Sequence, residues 1–527
     1  MSYHKPVQTG EIDKFSATAL RSADTPGPGN TKTLSKTLNS SDSTESSPRI
    51  GIGVDFGTSN SAAAVYDGER IHLIPLEETA VVMPSATYID KELKITAGQA
   101  AINRYVESNM GRTVELSAEV LGEGRSTTGQ IGDKGLPEEA QTELIYGQSF
   151  VDGGLQGRLF RGIKRLLGNR HAPRLMVFDR PFRLVALITP LLVRVQQRVE
   201  RLILAFESDP KAADHACIGH PVNFEGTEQG RNQLALTLLK EAYGYAGFSR
   251  QSLYPEPVAA ALSYLHQYPA ASQQTILAVD FGGGTLDLCL LKRFEEGFKV
   301  IGTHGIGLGG DHIDQLMFKK MLFPLLGKGE RWRRAGSDRE IETLFPFEDY
   351  EELLLNWAVS YMLNQNRFTT PLMQRIEEKD EASIKFRRLY DLIKNNYSYL
   401  VFQALKDLKA ELSSHDTARL DIPEIDIDLT VSREYFEEII LPVLTELQTA
   451  IVTILQRANI KAEQIQLVLR TGGSSLIPAV KRLLDESFPN KVIEHDPFTS
   501  VAAGLAIAEY RSLGAQAYSG PESVSRF

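Results

Sequence analysis

Residues 50–60 read Ile50-Gly-Ile-Gly-Val-Asp-Phe-Gly-Thr-Ser-Asn60 and combine a strand-forming run with a turn. Apolar residues alternate along the chain into Asp55, and a glycine and two hydroxyl residues follow before the next apolar run. The pattern predicts a β-hairpin with an acid, a glycine and two hydroxyls at its turn. Turns of this kind aim backbone N–H groups at phosphate oxygens, although this stretch alone is equally compatible with an ordinary β-turn.

A second copy of the pattern begins at Ile276. An apolar strand leads into Asp280-Phe-Gly-Gly-Gly-Thr-Leu-Asp287, and three glycines within a strand-forming run indicate close approach of the backbone to another group. The repetition predicts a duplicated, two-lobed protein. Together the hairpins predict a polyphosphate held between the lobes, with Asp55 and Asp280 facing a Mg²⁺ ion that is bound largely through water.

A third glycine-rich stretch reads Leu467-Val-Leu-Arg-Thr-Gly-Gly-Ser-Ser-Leu-Ile-Pro478. It predicts a strand that ends at Gly472 and a helix with Pro478 in its first turn. The glycine pair would leave a flat surface on which a purine could lie. An ordinary strand–helix turn is the alternative, and the two phosphate hairpins favour the purine. Strands and helices alternate elsewhere in the chain, which predicts α/β lobes with mostly parallel sheets.

Composition excludes several classes of protein. The 527 residues carry a formal net charge of -10, which argues against a general nucleic-acid binder. Two cysteines, Cys217 and Cys289, are too few for a disulfide framework or a thiolate metal site, so both are expected to be buried free thiols. The sequence shows no membrane span and no signal peptide, so the expected compartment is the cytoplasm.

The composition also predicts the domain boundaries. Residues 1–48 and 514–527 are rich in small and polar residues and are expected to be a disordered tail and a short tail. Residues 49–271 are the expected first lobe, with an insertion at about 90–157. Residues 272–513 are the expected second lobe, with a mainly helical insertion at about 324–415.

In order and spacing, the three glycine-rich stretches resemble the phosphate 1, phosphate 2 and adenosine motifs of the actin/Hsp70/sugar-kinase superfamily. Three further segments resemble Hsp70: 160–168 is similar to the segment of the catalytic lysine, 254–264 to the helix that opens with an active-site glutamate, and 305–314 to a phosphate-contacting loop. The chain is therefore identified as an Hsp70-like protein. The resemblance implies an α/β, duplicated two-lobed actin-like ATPase (ribonuclease H-like) fold that binds ATP and Mg²⁺.

The resemblance also implies a role for individual residues. Lys164 would contact the γ-phosphate and orient the attacking water, and Glu256 would hold a water molecule. Asp55 and Asp280 would flank the metal and the nucleophile, with Asp280 as the better proton acceptor. Mg²⁺ would lie near Asp55, Asp280 and Glu256, mainly through water. The implied nucleotide contacts are Gly57, Thr58, Ser59, Gly282, Gly283, Thr285, Gly309, Gly310, Lys409, Ser413, Gly472, Gly473 and Ser474.

Some positions depart from the Hsp70 pattern. Lys406 stands where an acid is usual, and Ala410 and Leu476 stand where arginines are usual. Contacts to the adenine are therefore expected to be looser than contacts to the phosphates. Pro221 and Arg231 resemble a proline–arginine relay between the nucleotide and lobe rotation, but the interval between them is two residues longer than usual.

The expected function is a slow Mg-ATPase that acts as a nucleotide-dependent switch or chaperone-like factor. The Hsp70 pattern ends near Ala506, so the peptide-binding half is expected to be missing, and with segment 218–226 this resembles the YegD-type branch. A protein partner or client in trans is expected, with a monomer as the working state and neither nucleic acid nor membrane as a partner. His220 is expected to be structural. A small-molecule kinase and an actin-like filament protein are the alternatives.

Overall fold

The structure is a computed structural model, and it describes residues 49–114, 116–126, 141–152, 154–170, 175–178, 180–205, 213–224, 229–269, 273–295, 297–335, 340–513 and 518–519. The predicted disordered tail at 1–48 lies outside the described residues. So does the predicted tail at 514–527, apart from a two-residue strand.

Strands and helices alternate through both halves of the chain. The strands are β1 (Gly51–Phe56), β2 (Asn60–Tyr66), β3 (Ile71–Leu73), β4 (Met83–Pro84), β5 (Ala86–Asp90), β6 (Ile95–Ala97), β7 (Leu116–Ser126), β8 (Gln141–Asp152), β9 (Gly157–Arg161), β10 (Leu175–Val177), β11 (Arg180–Phe182), β12 (His215–His220), β13 (Arg250–Pro255), β14 (Gln274–Phe281), β15 (Leu286–Phe294), β16 (Gly297–Ile306), β17 (Arg331–Ala335), β18 (Glu340–Leu344), β19 (Thr417–Ile422), β20 (Ile427–Ser432), β21 (Leu467–Thr471), β22 (Val492–Glu494) and β23 (Tyr518–Ser519).

The helices follow the same order along the chain. They are α1 (Gln99–Asn109), α2 (Leu184–Ala205), α3 (Arg231–Tyr245), α4 (Glu256–Gln267), α5 (Gly310–Met317), α6 (Glu348–Leu354), α7 (Asn366–Glu377), α8 (Ser383–Lys394), α9 (Ser398–Ser414), α10 (Arg433–Ile439), α11 (Leu441–Arg457), α12 (Pro478–Ser487) and α13 (Ser500–Tyr510).

The two lobes have sheets of matching topology, which confirms the predicted duplication. In the first lobe the strand order is β13-β12-β1-β2-β3, with β4 paired to β2, and in the second it is β22-β21-β14-β15-β16-β23. Strand β1 pairs parallel with β12 and antiparallel with β2, and β14 pairs in the same way with β21 and β15. The prediction of mostly parallel sheets is wrong for the first lobe, where β2 pairs antiparallel with β1, β3 and β4. In the second lobe three of the five strand pairings are parallel, and the phosphate hairpin and β16 contribute the two antiparallel ones.

A shared core joins the two lobes. Helices α4 and α13 pack against each other between the sheets and form an apolar cluster with residues of both β2 and β14. The two helices touch at Ala259 and Gly504, where a Cβ on Gly504 would lie 1.8 Å from the Ala259 carbonyl oxygen. Both cysteines, Cys217 and Cys289, are buried in this cluster as free thiols, as predicted.

The insertions differ in structure. The first contains α1 and the antiparallel ribbon β7–β8. The second is mainly helical, as predicted, with α6–α9, but it also contains the β17–β18 hairpin. Among the described residues, no single helix is long and apolar enough to cross a membrane; by length and composition alone, the bent pair α10–α11 passes such a test.

Candidate functional site

A cavity of about 520 Å³ lies between the lobes, and nearly all predicted site residues line it. Those that do are Asp55, Gly57, Thr58, Ser59, Lys164, Glu256, Asp280, Gly282, Gly283, Thr285, Gly310, Lys409, Ser413, Gly472, Gly473 and Ser474. Gly309 is not among the lining residues. A Cβ on Gly309 would lie 2.4 Å from the Gly283 carbonyl oxygen, so this glycine lets the start of α5 pack against the second phosphate hairpin.

The first phosphate turn, residues 57–59, is fixed from behind by Ser85. The Ser85 hydroxyl donates to the Gly57 carbonyl at 2.8 Å, and the Ser85 N–H donates to the Ser59 carbonyl at 2.9 Å. A Cβ on Gly57 would lie 2.1 Å from the Asn60 carbonyl oxygen. Glycine at position 57 is therefore required by the tightness of the turn itself.

The second phosphate turn, residues 282–285, is held by its carbonyl groups. The Gly282 carbonyl accepts hydrogen bonds from the Gly310 N–H and the Ser474 hydroxyl, each at 3.0 Å. A Cβ on Gly283 would lie 2.8 Å from the Ser59 hydroxyl oxygen, so the two phosphate turns almost touch across the cleft. A polyphosphate in the cavity would therefore contact both lobes at once.

An ion pair between Lys164 and Glu256 lies beside these turns. Lys164 is in a short 3₁₀ turn after β9, and Glu256 is the first residue of α4, as predicted. The Lys164 Nζ donates to the Glu256 Oε1 at 2.6 Å, and the two side chains are only 7% and 16% exposed. Burial alone would lower the pKa of Lys164, but the carboxylates of Glu256 and Asp55 outweigh it and raise the pKa, so the lysine is cationic.

Asp55 and Asp280 are enclosed by protein atoms, with part of each side chain open to the cavity. Burial raises the pKa of Asp55 to about 7; the Glu256 carboxylate adds to this and the Lys164 ammonium opposes it. Burial also raises the pKa of Asp280 to about 7, and the carboxylates of Asp287 and Glu256 raise it further. Keeping several neighbouring carboxyl groups ionised in a buried site costs free energy unless a cation binds between them.

The donor set fits a magnesium ion held mainly through water. The cavity offers carboxylate oxygens, which are the ligands Mg²⁺ prefers, from Asp55, Asp280 and Glu256. Within the described residues, no three acidic, histidine or cysteine side chains are close enough together to coordinate an ion directly. One or two direct ligands, with water completing the octahedron, match the usual habit of Mg²⁺.

Replacing Asp55 by Asn should stabilise the ligand-free protein, more at pH 8 than at pH 5. The folded-state pKa of about 7 exceeds the ordinary value of 3.8, so folding favours the protonated form. The stability contributed by this carboxyl is fully present below its unfolded pKa and is lost as the pH rises to about 7. At pH 8 we expect a gain of about 1–2 kcal/mol in the free energy of unfolding, below the full 1.36 kcal/mol per pKa unit because cavity water solvates the carboxylate.

Urea unfolding in EDTA at the two pH values measures this gain. Asp67 supplies the matched control, because a hydrogen bond from the Arg70 N–H helps to lower the pKa of Asp67 to about 2. The ionised Asp67 carboxylate stabilises the folded protein at neutral pH, so Asp67→Asn should lower the stability at that pH. An Asp55→Asn variant less stable than the wild type at pH 8 would contradict the electrostatic account.

In the part of the cavity predicted to bind adenosine, the polar side chains form hydrogen bonds or ion pairs with other protein groups. Lys409 pairs with the fully buried Asp314 and donates to the Gly310 carbonyl at 3.1 Å. The Ser413 hydroxyl donates to the Lys409 carbonyl at 3.0 Å, and the Ser474 hydroxyl donates to Gly282. These residues line the cavity as expected, and their side chains also hold α9, α5 and the phosphate turn together.

The predicted glycine pair of the adenosine motif packs against protein atoms. A Cβ on Gly472, whose φ is +80°, would lie 2.4 Å from the Phe281 carbonyl oxygen. A Cβ on Gly473 would lie 3.0 Å from the ring of Phe498. The space next to Gly473 that a side chain would fill is therefore occupied by the ring of Phe498, which also lines the cavity.

Sequence reasoning missed Asp287 as a site residue. Asp287 lines the cavity, and its carboxylate accepts the Thr285 hydroxyl at 2.8 Å. The signal was present, since Thr285 immediately precedes β15 and Asp287 is its second residue, two positions further along the chain. Arg161, Arg165 and Phe498 also line the cavity without having been predicted.

Pro221 and Arg231, the two residues of the predicted relay, contact different parts of the protein. Pro221 lines the cavity, whereas Arg231, at the start of α3, donates from Nε to the Phe224 carbonyl at 2.9 Å. The His220 ring lies 2.8 Å from the Pro221 carbonyl oxygen, and burial lowers its pKa, so the imidazole is neutral. The hydrogen bond between the His220 ring and the backbone agrees with the predicted structural role of this histidine.

A second set of contacts between the lobes, here called the roof, joins α1 and β9 to residues 357–364. The Tyr105 hydroxyl donates to the Ala358 carbonyl at 2.6 Å, and its ring packs edge-on against Trp357. The guanidinium of Arg161, which lines the cavity, lies 4.9 Å from the Trp357 ring centre. The roof therefore connects the wall of the cavity to the second-lobe insertion.

Comparison with known proteins agrees with this geometry. A family model described as Hsp70 protein matches residues 205–325 and 379–524, which is half of the chain. The chain is similar to the chaperone protein dnaK1 of Synechocystis sp., with 24% identity over 468 residues that cover 86% of this chain and 53% of the relative. The chain thus spans about half the length of that relative.

Hsp70 proteins bind ATP with Mg²⁺, in agreement with the predicted ligands, and the YegD-type subtype stays a prediction. With the duplicated lobes and the shared phosphate cleft, these matches show that the chain belongs to the Hsp70 family.

Proposed function

We propose that this chain is a slow Mg²⁺-dependent ATPase that acts as a nucleotide-dependent conformational switch for a protein partner or client in trans. The observation that carries the proposal is the buried Lys164–Glu256 pair, 2.6 Å apart, beside the two turns that bear Asp55 and Asp280. Hsp70 family members are generally ATPases, and this membership supports the same chemistry here.

Hydrolysis of a triphosphate needs positioning and charge neutralisation rather than a covalent nucleophile. Lys164 supplies a buried positive charge at the cavity wall, where the low dielectric strengthens its attraction for phosphate oxygens. The hydrogen bond to Glu256 fixes the ammonium group in one position. The other carboxylate oxygen of Glu256 would then be the acceptor that orients a water molecule.

Asp280 is the proposed proton acceptor. In the ligand-free cleft, burial raises the pKa of Asp280 to about 7, so this carboxyl group can take up a proton near neutral pH. Asp287 accepts the Thr285 hydroxyl and so fixes that side chain at the mouth of the second turn. Mg²⁺, when bound, would neutralise charge on the phosphate oxygens.

The two-lobed architecture supports the switch. The lobes are joined through the α4–α13 crossing and again through the roof, and the cavity lies between their phosphate turns. A ligand that contacts both turns binds the closed arrangement better than an open one, so it shifts the population towards closure. We place the partner's docking surface on the second-lobe insertion, which exposes Leu344, Met373 and Ile384.

Trp357 offers a direct test of the switch. Its side chain is 7% exposed in the roof, so opening of the cleft should expose it to water. With Trp332 replaced by Phe, Trp357 is the only remaining tryptophan of the two in the sequence. We expect its emission to shift to the blue when Mg-ATP is added to nucleotide-free protein, and to differ between Mg-ATP and Mg-ADP.

Calorimetric titration of the same sample establishes whether nucleotide is bound, and Mg²⁺ without nucleotide is the control for metal effects alone. If nucleotide binds but the emission of Trp357 is identical in the nucleotide-free, Mg-ATP and Mg-ADP states, the switch is contradicted. Stimulated release of ADP by an added small-molecule acceptor would instead favour a kinase.

A further inference from the structure

Apolar side chains line the part of the cavity around the adenosine motif, together with Lys406, whose Nζ pairs with the Asp311 carboxylate at 3.7 Å. Ala410 on α9 faces this region, and Leu476 and Ile477 line it from the adenosine motif. The hydroxyls of Ser413 and Ser474 already donate to carbonyl groups of the protein. These polar groups already have partners within the protein, so they are less available to form hydrogen bonds with the edges of a base.

Phe498 is the aromatic ring in this region. It is 49% exposed, lines the cavity, and lies against Gly473, where a Cβ would be 3.0 Å from the ring. A single exposed aromatic residue is unremarkable on an outer surface, but here the ring faces a ligand-sized cavity. Its open side is a flat apolar surface of the kind on which a base can stack.

The backbone around Phe498 is fixed. The Asp496 carboxylate accepts hydrogen bonds from the N–H groups of Phe498 and Thr499, each at 3.1 Å. The Pro497 carbonyl accepts the Gly472 N–H at 3.1 Å, which ties the loop to the adenosine motif. The backbone that carries the ring is therefore held in place, and binding against the ring would require little ordering of the loop.

We propose that Phe498 is the nucleobase platform of this site and that the base is held by stacking rather than by hydrogen bonds to its edges. The inference rests on the proposed nucleotide-binding function and deepens it. Every purine presents an aromatic face, and stacking on an aromatic ring discriminates poorly between bases. The site therefore accepts purine nucleoside triphosphates with little preference between adenine and guanine.

Calorimetric titration with Mg-ATP, Mg-GTP and Mg-tripolyphosphate tests this proposal. For the wild type we expect Kd values for ATP and GTP within about fivefold of each other. Phe498→Leu keeps an apolar side chain but loses the ring, and should raise both Kd values about tenfold (about 1.4 kcal/mol). Phe498→Tyr should restore them. Tripolyphosphate has no base, so its Kd should stay unchanged in both variants.

Phe294→Leu is the matched control, because Phe294 is also a partly exposed phenylalanine, 39% exposed, and does not line the cavity. An unchanged Kd for ATP in Phe498→Leu, or GTP bound more than about thirtyfold more weakly than ATP, would overturn the platform and leave the ATPase proposal standing. A wild type that binds neither ATP nor tripolyphosphate would overturn the proposed function as well.

Discussion

Gly504→Ala is expected to destabilise the protein by about 3–5 kcal/mol, although it adds a single methyl group. The new Cβ would lie 1.8 Å from the Ala259 carbonyl oxygen and 2.4 Å from the carbonyl carbon. Because these are backbone atoms of α4, no side-chain rotation can relieve the clash. Helices α4 and α13 would have to separate, and the apolar cluster that joins the lobes would separate with them.

Gly244→Ala is the matched control. Gly244 lies near the end of α3, is exposed, and has only the end of the Gln251 side chain, at 3.7 Å, near its Cβ position. Alanine is a better helix former than glycine, so this variant should be neutral or more stable by up to about 1 kcal/mol. Urea unfolding measures both, and equal effects of the two substitutions would contradict the tight crossing of α4 and α13.

The sequence predicted the two hairpins because each carries a local pattern: apolar alternation, an acid, glycines and a second apolar run. It did not explain Gly51 and Gly53 within β1. In the structure, a Cβ on either glycine would lie about 2 Å from a backbone oxygen of α13, at 2.1 Å and 2.2 Å respectively. Helix α13 is more than four hundred residues away along the chain, so no local pattern could have revealed this requirement.

The site could be predicted in its phosphate half and less well in its base half. Lys164 and Glu256 were placed by resemblance, and the structure brings them together across 92 positions of sequence. Phe498 was missed because a lone phenylalanine in a loop carries no pattern of its own. The roof was missed for a similar reason, since Tyr105 and Trp357 meet only through the packing of two separate insertions.

Lys164→Ala is expected to slow hydrolysis of bound ATP by at least about a hundredfold, in the range found when one preorganised transition-state donor is removed. The two turns that carry Thr58 and Thr285 remain in place, so the Kd for Mg-ATP should change less than about tenfold. Lys240→Ala, which removes one exposed lysine from α3, controls for the loss of positive charge.

Single-turnover hydrolysis of Mg-ATP by purified wild type and Lys164→Ala, with binding measured on the same samples, tests the role of Lys164 directly. We expect slow hydrolysis by the wild type, its loss in Lys164→Ala and retained binding in both. Hydrolysis that persists at the wild-type rate in the variant, or a wild type that binds Mg-ATP without hydrolysing it, would contradict the role assigned to the Lys164–Glu256 pair.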